Sequence, residues 1–333
     1  MQLFNQPTLL TADKYASDVV KKIRSARKRI LIVATVLRDD GPNSHAIVEA
    51  LCEASDRGVE TIVYIDTFTY LEPKGFALRS SKRQPARTIQ AMKLERRLKQ
   101  RGITFHWLGR KTIGLLVGRT HSKWTVIDDV VYTFGGVNLD HSSFTNVDYI
   151  FRLKNALLAD VIAKEQEHIY SLDCSGGAAR SHSYAISDQS ITLFDGGLIG
   201  DSIIYRRACD LAQKADKIIL VSQYCPTGRL AHILKKKPSV LYFNHWRHAS
   251  SLNRFLITLG MFTAKHDTSY TRDAYLHAKF IIFTMPDGQK VAITGSHNFM
   301  FGSGAMGTRE IALETTDHHI IRQLESFLHR HVV

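Results

Sequence analysis

The chain has 333 residues, 44% of them hydrophobic and 23% charged, the proportions of a folded globular protein; they exclude a disordered, collagen-like or coiled-coil chain. Its 44 Lys and Arg against 31 Asp and Glu leave a net charge of +13, which points to an anionic partner: nucleic acid, an acidic membrane surface or a phosphorylated substrate. No secretory signal opens the chain, no apolar run reaches transmembrane length, and the four scattered cysteines form no C-x-x-C pair, so a cytoplasmic protein without disulfides or structural zinc is expected.

In chain order, an amphipathic helix over 12–26 leads into the apolar run 29–37, which has the composition of a buried strand. A second helix, 44–57, stops at Gly58 before a strand over 59–66, and a third, 88–100, stops at Gly102 before a strand over 103–108. Helix, glycine stop, strand is the order of a helix-covered α/β sheet. The polar stretch 175–190, opened by Ser175, Gly176 and Gly177, reads as a linker, and a helix over 201–214 followed by a strand over 217–223 restarts the pattern. The stretch 251–262 reads as a core helix, with an interfacial amphipathic helix as the other account.

Two halves also share a motif. His121-Ser122-Lys123, then Gly135-Gly136-Val137-Asn138, then Asp148, is followed in the second half by His277-Ala278-Lys279, Gly295-Ser296-His297-Asn298 and Glu310. The His-to-Asn separation is 17 residues in the first copy and 21 in the second, and the turn residues Pro286-Asp287-Gly288-Gln289 account for the longer hairpin. The expected architecture is therefore α/β with two pseudo-symmetric repeats, residues 1–175 and 176–333. Each repeat is expected to be a mixed, mainly parallel sheet flanked by helices, with the active site at their interface.

On a strand of period two, His121 and Lys123 share a face, as do His277 and Lys279. Two such strands meeting in one cleft would gather two His, two Lys and two Asn. That set suits a phosphodiester: Lys and Asn hold the non-bridging oxygens, one His attacks phosphorus and the other protonates the leaving oxygen. The lysines supply positive charge, so no metal and no cofactor is called for. His245-Trp246-Arg247-His248 lacks a third spaced ligand and is not read as a metal site.

His121-x-Lys123 with Asp128, followed by Gly135-Gly136-Val137-Asn138, resembles the signature of the phospholipase D superfamily, and His277-x-Lys279 with Gly295-Ser296-His297-Asn298 resembles its second copy. The resemblance implies catalysis through a phosphohistidine between two α/β repeats, with Asp128, Asp148 and Glu310 as orienting acids and Gly136 and Ser296 at the substrate. Thr284 stands where the second copy would carry the motif Asp, and His297 is read as a bystander or as a support behind the motif residues. The complete first copy favours His121 as nucleophile and His277 as general acid; the reverse assignment stays open.

Residues 143–149 and 157–160 resemble the branch of phosphatidylglycerophosphate and phosphatidylserine synthases, related to cardiolipin synthases. That implies CDP-diacylglycerol or a phospholipid as donor and a small alcohol or lipid as acceptor. The other readings are a hydrolytic phospholipase D or nuclease, and a catalytically silent binding protein. Residues 74–111 hold twelve Lys or Arg and one acid, Glu95, and read as an insertion at the cleft mouth that docks a peripheral enzyme on the anionic inner face of the membrane. Few aromatic residues interleave this run, which disfavours an obligate nucleic acid; Phe68, Tyr70 and residues 114–117 are candidates for acyl-chain contact. No protein partner is predicted.

Overall fold

The computed structural model describes residues 5–70, 86–109, 118–248, 251–302 and 306–333. In chain order the first repeat runs β1 (Asn5–Thr11), α1 (Ala12–Ser25), β2 (Arg29–Ala34), α2 (Pro42–Asp56), β3 (Glu60–Asp66), α3 (Ala86–Gln100), β4 (Thr104–Leu108), β5 (Trp124–Ile127), β6 (Val130–Thr133), α4 (His141–Thr145), β7 (Tyr149–Lys154) and α5 (Ala156–Ser175). The second runs β8 (His182–Ser187), β9 (Ser190–Gly196), α6 (Ile203–Lys214), β10 (Lys217–Val221), α7 (Gly228–Leu234), β11 (Ser239–Tyr242), α8 (Ser251–Ala264), β12 (Phe280–Thr284), β13 (Lys290–Gly295), β14 (Arg309–Thr315) and a last helix, α9 (His318–Phe327).

The strands form two seven-stranded sheets, ordered β1-β7-β6-β5-β2-β3-β4 and β11-β10-β12-β13-β14-β9-β8. Six strands of each correspond one to one; β4 is the extra edge strand of the first sheet and β8 that of the second. Both sheets are mixed, but antiparallel pairs outnumber parallel ones, a correction to the mainly parallel expectation. Among the named strands parallel pairing is confined to β2-β3, β3-β4 and β10-β11, where helices supply the crossovers. Elsewhere short turns fold the chain back on itself: Asp128-Asp129 joins β5 to β6, and the cluster 285–289 joins β12 to β13, with Gly288 in the left-handed region at φ 81.

Part of the stretch read as a linker is ordered as β8, which pairs antiparallel with β9. Its side chains are largely exposed, so it lacks the apolar alternation that marks a strand in sequence. Of the basic run, the described part builds α3 and β4, a crossover helix and an edge strand; residues 74–85 and 110–111 lie outside the described residues, as do 114–117.

Apolar residues form three layers. One outer layer packs α1, α2 and α3 on the first sheet, and the other packs α6 and α7 on the second. The middle layer lies between the sheets, where Val33, Trp124, Tyr149 and Phe151 meet Val221, Phe280, Ile311 and Phe327 together with one side of α5. Burying both faces of both sheets explains why their central strands read as unbroken apolar runs. It also fixes one sheet against the other at the end where the motif residues sit.

Candidate active site

The two H-x-K segments lie just ahead of β5 and β12 rather than within them. Their amides have a different partner: His121 and Ser122 N–H both donate to the Arg309 carbonyl, at 2.8 and 2.9 Å, and His277 and Ala278 N–H both donate to the Val147 carbonyl, at 2.9 and 3.0 Å. Each acceptor immediately precedes the acid of the opposite repeat. The backbones thus exchange hydrogen bonds across the pseudo-twofold axis, and this brings the motifs into one site.

The side chains cross in the same way. His277 Nδ1 lies 2.7 Å from Asp148 Oδ2, and His121 Nδ1 lies 3.2 Å from Glu310 Oε1. Each imidazole is therefore held by the carboxylate of the other repeat. A Nδ1–H given to a carboxylate leaves Nε2 with its lone pair, the tautomer a nucleophile at phosphorus needs. Lys123 and Lys279 are fully buried, and each donates to the carbonyl of its own motif histidine, at 2.8 and 2.5 Å. Lys123 also donates to Thr35 Oγ1 at 3.0 Å, and Lys279 Nζ lies 3.2 Å from His277 Nδ1.

Glycines allow this convergence. A Cβ on Gly135 would lie 1.9 Å from the Tyr149 carbonyl and one on Gly295 2.2 Å from that of Ile311, so both chains pass where only hydrogen fits. At Gly136 an added carbon would meet Asp148 Oδ2 at 2.6 Å and the His277 carbonyl at 2.8 Å. Gly136 thus makes room for Asp148. Its counterpart Ser296 uses its hydroxyl on Glu310 Oε2 and accepts from Ile311 N–H at 3.0 Å. Both positions were expected at the substrate; the structure engages them with the orienting acids.

The side-chain oxygens of Asn138 and Asn298, both nearly buried, have no hydrogen-bond partner among the described residues. Buried amides are rarely left unpaired, so each Asn leaves an open acceptor in the site. Asp128, by contrast, stands apart from the imidazoles, at the far end of β5. Its carboxylate accepts from the backbone N–H groups of Arg27, Lys28 and Arg29 at 3.0, 2.8 and 3.2 Å and caps the turn between α1 and β2. A strand of four residues separates it from Lys123, roughly 15 Å along the chain. Thr284 replaces only this turn cap, and Asp216 N–H bonds its backbone carbonyl instead.

Burial dominates the electrostatics. It lowers the His121 imidazole, assisted by Lys123 and opposed by Glu310. It brings His277 down to about 4, assisted by Lys279 and opposed by Asp148. Burial takes Lys123 to about 8 and Lys279 to about 7. Burial would raise Glu310, but His121, His297 and Lys123 outweigh it and hold the carboxylate at about 2. Near neutral pH the free site therefore has two neutral imidazoles beside a firmly ionised acid and two lysines close to losing their protons.

Several contributors carry no motif signal. Buried Arg309 donates to the carbonyls of Gly118 and Gly177, tying the approach to His121 to the segment after α5. Asn244 donates to the carbonyls of Gln223 and Leu276 and accepts from Leu276 N–H, fixing the residue before His277. His297 accepts from Phe299 N–H at 2.8 Å through Nδ1 and holds that residue at φ 53, directly after Asn298, which fits the reading of it as a support rather than a bystander.

A family model described as "Cardiolipin synthase, PLD-like domain" matches residues 19–170. The chain is similar in structure to phosphatidylserine synthase of Haemophilus influenzae, at 14% identity and a TM-score of 0.72, covering 98% of this chain and 87% of that one. Residues 19–170, which hold the first motif copy, fit that family model, and the whole chain shares the fold of the synthase. Polyphosphate kinase of Porphyromonas gingivalis also has this fold, at 12% identity and a TM-score of 0.63, covering 97% of this chain and 46% of that one. No curated protein matches the sequence. The crossed His–carboxylate pairs bring both motif copies into a single candidate site at the repeat interface.

Proposed function

We propose that this chain is a phosphatidyltransferase that moves a phosphatidyl group from CDP-diacylglycerol or a phospholipid to an alcohol through a phosphohistidine. The crossed pairing carries this reading, because it prepares two imidazoles at Nδ1 for opposite duties at one phosphorus. His121 has 28% of its side chain exposed against 11% for His277, and is the ring that phosphorus reaches more readily.

In the first step the Nε2 lone pair of His121 forms the N–P bond as the bond from phosphorus to the leaving oxygen breaks, and His277, which takes up a solvent proton at Nε2 as the anionic substrate binds, gives that proton to the leaving oxygen. In the second, His277 takes the proton of the acceptor hydroxyl, whose oxygen displaces His121 from phosphorus. Lys123, Lys279, Asn138 and Asn298 hold the non-bridging oxygens as charge builds. Likeness to a phosphatidylserine synthase over nearly the whole chain supports the transferase over the hydrolase, and the membrane is the expected source of donor. Among the described residues no helix is long and apolar enough to cross a membrane, so substrate would be taken from a bilayer surface.

Labelled CDP-diacylglycerol, incubated with and without glycerol 3-phosphate, serine or phosphatidylglycerol, tests the reading by lipid mass spectrometry. CMP release coupled to a new phospholipid is expected, unchanged by chelators. Phosphatidic acid as sole product with every acceptor would establish a hydrolase instead.

A further inference from the structure

Between Asp216 and Asp267 the chain carries eight Lys or Arg and no acid. This span holds α7, β11, a short turn over Trp246–His248, and α8. It also holds the most exposed aromatic side chain among the described residues, Phe262, with 80% of its surface accessible, and Leu259 with 48%. Scattered exposed leucines are ordinary on a protein surface, but apolar side chains gathered inside an acid-free basic segment are not.

The placement is specific. α8 buries Ile257, Gly260 and Ala264, at helical spacing, so Leu259 and Phe262 point outward on the same side as exposed Arg254. Gly260 sits against Cys225 and Thr227, in the loop following β10, and Thr227 Oγ1 accepts from the N–H of exposed Phe301. Phe301 lies three residues beyond Asn298. Trp246, stacked under the Arg247 guanidinium at 5.2 Å, lies two residues beyond Asn244, which fixes the approach to His277. The exposed rings thus flank the segments that build the second-repeat side of the site.

We propose that this rim, centred on Trp246, Phe262 and Phe301, is a docking face for an anionic phospholipid bilayer, and that it turns the cleft mouth toward the lipid. The proposal rests on the phosphatidyltransferase reading for its purpose, but its geometry stands on the second repeat alone. Aromatic and leucine side chains enter the headgroup–acyl boundary, while Arg229, Arg247, Arg254 and Lys265 meet the anionic headgroups. Arginine and lysine stems extend along such a boundary with their charges in water. This face is distinct from the basic run 74–111 of the first repeat.

Co-sedimentation of the full chain with phosphatidylcholine vesicles, and with vesicles containing phosphatidylglycerol, tests it. Binding should require the anionic lipid, weaken with added salt, and fall about tenfold in Phe262→Asp and in Trp246→Ala. Leu157→Asp, at an exposed apolar position on α5 of the first repeat, should bind as wild type. Brominated lipid should quench tryptophan fluorescence in the wild type and much less in Trp246→Phe.

Wild-type vesicle binding by Phe262→Asp and Trp246→Ala together, or no vesicle binding by the wild type, overturns the proposal. So does a loss of oligonucleotide binding in Phe262→Asp with vesicle binding intact, which would make the face a nucleic-acid site. CMP release from a water-soluble short-chain donor separates the two readings. If the wild type binds vesicles through this face but releases no CMP, the transferase reading fails and the docking face stands. If soluble donor turns over and Phe262→Asp leaves vesicle binding unchanged, the reverse holds.

Discussion

His121 and His277 are chemically alike, and the difference in their duties rests on what holds each ring. His121→Ala should abolish turnover while circular dichroism stays native, because a partly exposed side chain is removed without opening the core. Glu310→Gln should lower kcat on the order of a hundredfold or more, since an amide no longer stabilises the tautomer and charge that the acid supports. A double-mutant cycle on phosphohistidine formation should couple His121 strongly to Glu310 and weakly to Asp148; the opposite result would undo the crossed assignment. Burial also sets a pH dependence. Lys279 at about 7 and Lys123 at about 8 lose protons in the free site as pH rises, so kcat/KM should fall through that window. A bound phosphate anion favours their charged forms, so kcat should hold to higher pH, and binding near neutrality should take up protons, measurable by calorimetry in buffers of different ionisation enthalpy.

At the scale of elements, short connections decide the site more than the strands do. In sequence Gly136 reads as a substrate contact; the structure shows that its neighbour Gly135 and the equivalent Gly295 let β6 and β13 run against β7 and β14. Gly136→Ser should abolish activity and lower stability, because its Cβ meets Asp148 and the His277 carbonyl, and the serine of the second copy has no equivalent space here. Asp128→Ala should do the opposite. Losing a carboxylate that accepts three backbone N–H bonds should cost about 1–3 kcal/mol in denaturant unfolding and leave kcat unchanged. The missing acid at Thr284 is therefore no argument for a silent enzyme. The helices and central strands were legible because both sheets are buried on both faces, which yields long apolar runs and clear glycine stops. β8 was not, because its polar, exposed side chains carry no core pattern and its pairing with β9 is made by backbone.

At the scale of the molecule, the middle apolar layer holds the two sheets in register. Phe327 on α9 lies against Tyr149 of the first sheet and Phe280 of the second, with ring centroids 4.9 and 6.5 Å away. The Tyr149 hydroxyl reaches Thr294 Oγ1, which bonds the Phe134 carbonyl, so the layer carries a polar tie as well. Phe327→Ala should destabilise the protein by about 3–5 kcal/mol. It should also reduce kcat in the folded fraction, because the layer sets how the two imidazoles meet; stability loss with unchanged kcat would confine Phe327 to packing.

The amino-acid sequence alone picked out the candidate residues that the fold then gathers. Two copies of His, Lys, Asn and acid in one order, on a helix-and-strand pattern with strong apolar runs, mark a doubled α/β fold and the candidate site on which the proposed phosphodiester chemistry rests. Tertiary structure alone decided which acid serves which histidine. Asp148 is nearer in the chain to His121 yet binds His277, 129 residues away, because the docked sheets present each acid to the opposite repeat. Chain order cannot encode that choice, which is made by the packing of two apolar faces and the backbone bonds exchanged across them.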